Sequence, residues 1–189
     1  DLHVEGLAAL KPYNLVINGS HPEYYSEEML DATEDYIAEG GRLIYMGGNG
    51  YYWNIGFRAE EPWCMEVRKL DSGMRAWNAR PGEHYLATNG QRSGLWKNLG
   101  RPPQKLTGVG FISQGFESAR PYRRMPDSYH RRASWMFEGI EGEIIGDFGL
   151  AHEGAAGIEI DRYDLSLGTP PHTLIVAASG GHSDNYMLV

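Results

Sequence analysis

An apolar run, an amphipathic stretch and a second apolar run follow one another between Tyr13 and Met46, and this order constrains the chain more than any other feature. Tyr13-Asn14-Leu15-Val16-Ile17-Asn18 is short and β-branched and ends at Gly19-Ser20, the pattern of a strand buried in a parallel sheet. Ser26 then suits a helix N-cap, Glu27 and Glu28 suit the positive end of the helix dipole, and Met29, Leu30, Thr33, Tyr36 and Ile37 recur at helical spacing until Gly40-Gly41. Arg42-Leu43-Ile44-Tyr45-Met46 reads as a second strand. Strand, helix, strand within about 35 residues is a βαβ unit, whose parallel pairing and handedness are nearly forced.

Beyond this unit the signals are weaker. Strands are expected near Met65–Leu70, Gly108–Ile112, Ala155–Ile160 and Thr173–Ala178. Pro81, Pro102, Pro103, Trp77 and Trp96 fall between them without sustained periodicity. At 189 residues the chain suits a single domain, 1–189. The expected fold class is α/β, a mostly parallel sheet flanked by helices, with residues 71–135 a loop-rich excursion.

Charge and composition exclude several partners. A net charge of −8 opposes binding to nucleic acid or to an anionic membrane surface. The longest apolar run, Leu174–Ala178, is far short of the roughly 20 residues that span a bilayer. Cys64 is the single cysteine, so no intrachain disulfide can form, and a reducing, cytoplasmic setting is expected. The first ten residues have neither an initiator Met nor a signal-peptide pattern, and suggest a segment of a longer chain. Arg120, Arg123, Arg124, Arg131 and Arg132 form a basic cluster that points to intradomain pairing or a subunit contact.

Ligands in open α/β sheets bind beyond the carboxyl ends of strands, which directs attention to three segments. The first strand leads into Ser20-His21-Pro22-Glu23-Tyr24, where the proline is expected to hold His21 extended. There His21 and Glu23 either serve a site or merely support the loop and the following helix. The second strand leads into Gly47-Gly48-Asn49-Gly50, a sharp elbow. In the glutamine amidotransferase class such an elbow presents a cysteine; here Asn49 stands at the tip and Cys64 lies elsewhere, which disfavours a cysteine amidotransferase. In Gly157-Ile158-Glu159-Ile160-Asp161-Arg162, Glu159 alternates against two isoleucines, and Asp161 and Arg162 pair either with each other or with a loop. Ser179-Gly180-Gly181-His182-Ser183-Asp184 reads as a loop rather than a triad. The glycosylation pattern at Asn18-Gly19-Ser20 is discounted, because it ends a buried strand.

Two segments taken together, Asn18-Gly19-Ser20-His21-Pro22-Glu23-Tyr24 and Gly40-Gly41-Arg42-Leu43-Ile44-Tyr45-Met46-Gly47-Gly48-Asn49-Gly50-Tyr51-Tyr52-Trp53, resemble the large (beta) subunit of N,N-dimethylformamidase in its C-terminal catalytic region. The resemblance extends more loosely through Gly154–Arg162 to Ala177-Ala178-Ser179. It implies a class I glutamine amidotransferase-like fold. It also implies hydrolysis of small N-substituted formamides, such as N,N-dimethylformamide, to formate and an amine at a mononuclear iron, Fe3+, held by two tyrosines and one glutamate. On this resemblance Glu23 is the metal ligand, and His21, Asn49 and Glu159 are the catalytic residues. The ligand tyrosines are expected outside this segment, so the segment alone should be inactive. A small (alpha) subunit, a second large subunit and a small amide substrate are the implied partners. The competing reading is a non-catalytic or carbohydrate-handling amidotransferase-like domain, for which Trp63, Trp77 and Trp96 offer aromatic faces.

Overall fold

The computed structural model describes residues 1–19, 21–69, 80–149 and 152–188. Trp77 and the end of the expected Met65–Leu70 strand lie outside the described residues. The chain forms two compact units. Asp1–Phe111 with Asp161–Thr169 make the first, and Ile112–Ile160 with Pro170–Leu188 the second.

In the first unit, α1 (Leu2–Glu5) precedes β1 (Leu15–Asn18), β2 (Tyr24–Tyr25), α2 (Glu27–Ala38) and β3 (Arg42–Tyr45). β1 and β3 pair in parallel, Leu15 opposite Arg42 through Asn18 opposite Tyr45, with α2 between them in sequence, as the βαβ pattern requires. The Ser26 hydroxyl caps α2 by accepting from the Met29 amide, and Leu30, Ala32, Thr33 and Tyr36 form the buried stripe. Close packing decides two glycines here. A Cβ at Gly41 would stand 2.4 Å from the Tyr36 ring, and one at Gly50 2.4 Å from the Tyr45 ring.

Side-chain alternation splits the β1–β3 ribbon into two faces. Val16, Asn18, Leu43 and Tyr45 are half-buried, and Leu43 and Tyr45 pack against a core of Tyr25, Leu30, Tyr51 and Trp96. Leu15, Ile17 and Ile44 are exposed, Ile17 to 63%. A second core, Tyr52, Trp53, Leu95 and Phe111, surrounds β4 (Trp53–Arg58). β4 pairs in parallel with β2, and antiparallel with β5 (Glu61–Val67) and β6 (Gly94–Leu95). A short helix, α3 (Gln104–Thr107), follows.

In the second unit β7 (Gly110–Gln114), which begins in the first, pairs antiparallel with β12 (Met187–Leu188) and is flanked on its other side by β10 (Glu159–Arg162). β8 (Tyr122–Arg124) lies between β9 (Ile144–Ile145) and β11 (Ala177–Ser179), antiparallel to both. The basic cluster is used within the unit at Arg124. Its guanidinium lies over the Tyr129 and Phe137 rings and donates to the Ile140 carbonyl. Among the described residues no helix is long and apolar enough to cross a membrane.

The architecture corrects the expected fold class. In place of a mostly parallel sheet flanked by helices, the chain is mostly β, in small mixed and antiparallel sheets. Among the described residues α2, at 12 residues, is the one helix of more than four. The reason is connection length. A parallel pair needs a crossover of a dozen or more residues, usually helical; after Tyr45 prolines and glycines interrupt most of the chain, and the uninterrupted stretch 127–138 forms only short 3-10 turns. Strands without crossovers close antiparallel instead.

Candidate functional site

The two loops that leave β1 and β3 are laced together through the main chain. The Met46 amide donates to the Asn18 carbonyl (3.1 Å) and the His21 amide to the Gly47 carbonyl (3.3 Å), continuing the ladder past the strand ends. Farther along, the Tyr51 amide donates to the Pro22 carbonyl (2.9 Å), and the Glu23 carbonyl accepts from both Tyr52 (2.9 Å) and Trp53 (2.8 Å). These bonds fix His21 and Glu23 alongside the Gly47–Tyr51 turn.

Backbone strain concentrates in the same two loops. Asn49 (φ 42°), Tyr51 (φ 54°) and His21 (φ 59°) all occupy the left-handed region, which non-glycine residues enter only where their surroundings compel it. The value at His21 corrects the extended conformation expected before Pro22. A tight turn, closed by the Glu23 amide on the His21 carbonyl at 2.9 Å, together with the His21–Gly47 bond, overrides the local preference. Asn49 at the elbow is as the glycine-flanked pattern suggested, with Gly47 (φ 84°) and Gly48 (φ 80°) leading into it.

Beneath the loops lies a polar cluster that the sequence did not disclose. The Tyr45 hydroxyl donates to Asp161 Oδ2 at 2.7 Å and accepts from the Gly50 amide at 2.7 Å. Burial raises the Asp161 carboxyl above its ordinary 3.8, while the Tyr45 hydroxyl, the Asn49 backbone amide and the nearby charge of His21 pull it back. Of the two alternatives for Arg162, the loop holds: it pairs with Asp164 at 3.0 Å. Asn18 Nδ2 donates to the hydroxyls of Tyr25 (2.6 Å) and Tyr51 (2.9 Å), whose rings stand 4.4 Å apart. Burial raises the pKa of all three phenols, Tyr25, Tyr45 and Tyr51, so they stay protonated. The available signal was alternation, which puts Asp161 on the Glu159 face of its strand.

His21 is exposed and faces the Asp161 charge; Asn49 is 5% exposed and, among the described residues, its Oδ1 has no hydrogen-bond partner. The structure therefore groups His21, Asn49 and Asp161. Glu23 is half-buried beside them in sequence, held by its carbonyl. Glu159 is half-buried in β10 and belongs to the second unit. Among the described residues no three His, Cys, Asp or Glu side chains are grouped to hold a metal ion. Glu23 fits the implied iron as one hard oxygen donor. Tyr25 and Tyr51 are both hydrogen-bonded to Asn18, and the resemblance implies ligand tyrosines outside this segment.

Two other readings narrow. Ser179 Oγ and His182 Nε2 are 3.0 Å apart, but among the described residues His182 Nδ1 is buried without a partner, so no carboxylate orients the ring as a triad requires. Trp96 is a core residue whose indole N–H donates to the Tyr25 carbonyl at 3.1 Å, which removes one of the aromatic faces offered for carbohydrate.

Comparison with known proteins gives a consistent result. The chain is 48% identical over 190 residues to the N,N-dimethylformamidase beta subunit of Paracoccus aminophilus and 47% identical over 190 residues to that of an Alcaligenes species. In both cases all of this chain is covered, and it spans 25% of the relative's length. Residues 1–187 match the family described as N,N-dimethylformamidase beta subunit-like, C-terminal. With the match running through both laced loops and nearly to the last residue, the chain belongs to the C-terminal family of N,N-dimethylformamidase beta subunit-like proteins.

Proposed function

We propose that this chain is the part of a formamide amidohydrolase that carries Glu23, His21 and Asn49 to the reaction. The observation that carries the reading is the 48% identity across the whole chain to a dimethylformamidase beta subunit. In the reaction water adds its oxygen to the formyl carbon, the C–N bond breaks, and the amine leaves with a proton, giving formate. Glu23 would be this segment's ligand to an iron ion, with two tyrosines outside the segment as the other protein ligands. Iron, when bound, polarises the amide carbonyl and lowers the pKa of water. His21 and Asn49, held at the lip of the two loops, steady the charge developing on the carbonyl oxygen. Glu159 lies in the second unit and is given no step at this site.

The beta-subunit name of the relatives supports assembly with another subunit, and a small (alpha) subunit and a second large subunit are the partners proposed. The single free cysteine, Cys64, suits a cytoplasmic setting. The test is formate release from N,N-dimethylformamide by the full polypeptide, alone and with its small subunit. Wild-type hydrolysis abolished in His21→Ala and Asn49→Ala supports the reading; a wild type that releases no formate in either form overturns it.

A further inference from the structure

We propose that Asp161 is a positioning residue of this site, holding the Asn49–Gly50 elbow through Tyr45 and His21 through its charge; the inference rests on the hydrolase reading above. Asp161 lies 116 positions from Tyr45 in sequence, yet its Oδ2 accepts from the Tyr45 hydroxyl at 2.7 Å. That same hydroxyl accepts from the Gly50 amide at 2.7 Å, so one phenol bridges a carboxylate and the elbow. The bridge is sterically tight, since the Tyr45 ring fills the space a Gly50 side chain would need. The Asn49 backbone amide and the charge of His21 both favour the ionised carboxylate.

One phenol thus ties the carboxylate to the turn that aims the Asn49 side chain, while the carboxylate's charge acts on His21. An elbow with φ of 42° at Asn49 and 54° at Tyr51 needs an external tether to persist, and the Tyr45–Asp161 pair supplies it. Asp161 touches no substrate in this scheme and acts through its neighbours.

The test is a double-mutant cycle in the full polypeptide assembled with its small subunit. Asp161→Asn keeps an acceptor for Tyr45 and removes the charge; Tyr45→Phe keeps the charge and removes the bridge. Each should lower kcat by about 10- to 100-fold while KM changes little, because supporting groups of a site act on the reacting geometry. The double variant should be no slower than the poorer single, since the two act as one unit. Amide exchange at Asn49 and Gly50 should quicken in Tyr45→Phe. An active wild type whose Asp161→Asn and Tyr45→Phe variants keep its kcat overturns the inference and leaves the hydrolase reading standing. Additive losses confined to thermal stability overturn it as well. A wild type with no formamide hydrolysis removes the reading itself, and the positioning role falls with it.

Discussion

Asn18 and Tyr45 are register partners at the carboxyl ends of two parallel strands, and each places its polar side-chain atom in a different hydrogen-bond network. Asn18 serves Tyr25 and Tyr51, while Tyr45 serves Asp161 and the elbow. One rung of a sheet therefore sets the lateral position of both functional loops.

Replacing Asn18 by Ala strips the donor from two buried phenols and should destabilise the fold by about 1 to 3 kcal/mol, the cost of leaving a buried polar group unsatisfied. Denaturant unfolding measures it. A loss within error of zero would mean that water replaces the amide.

Gly50→Ala drives a methyl group into the Tyr45 ring, 2.4 Å from its nearest carbon. Overpacking of this kind costs about 1 to 3 kcal/mol. The displaced phenol should also loosen from Asp161, visible as faster exchange of the Gly50 amide; Gly48→Ala, whose residue has a φ of 80°, is expected to destabilise through backbone strain instead.

Stability should respond to pH through Asp161. Its folded-state pKa is raised by burial, so the folded chain holds this proton more tightly than the unfolded chain. The sign is then fixed: this group costs nothing well below 3.8, and stability falls as pH climbs from there through the raised value. Unfolding free energies of Asp161→Asn against wild type across mildly acid pH should show the wild type losing ground with rising pH and the variant lacking that loss. Parallel curves would show that the carboxyl titrates normally.

Glu23→Ala in the full polypeptide should lose iron and hydrolysis together, since removing a charged oxygen donor from a hard-metal site leaves too few ligands to hold the ion. Elemental analysis with formate release decides this. Full iron content with full activity would remove Glu23 from the ligand set, and iron retained without activity would make it a proton-handling group. The 189-residue chain purified alone should hold little iron.

The sequence was most legible where structure is local. The β1–α2–β3 unit, its Ser26 cap and the elbow at Asn49 follow from periodicity and turn chemistry within a few residues, and the structure has them in place. Contacts across long separations were not legible. Nothing near Asp161 in sequence names Tyr45, and the neighbouring Arg162 offered a false partner that in fact binds Asp164. His21 misled for a different reason. The rule for residues before proline is a local preference, and a network of loop-to-loop hydrogen bonds outweighed it. The sheet class failed because one βαβ unit was extended to strands that had no helices to connect them.

The double acceptance at the Glu23 carbonyl has a consequence for how this position can change. Its tether to Tyr52 and Trp53 runs through an atom every amino acid possesses, so the loop keeps its place whatever side chain stands there. Position 23 is in that sense an exchangeable socket. Aspartate, histidine or glutamine could be installed to retune which ion or proton the site prefers, with the scaffold registering little of the swap.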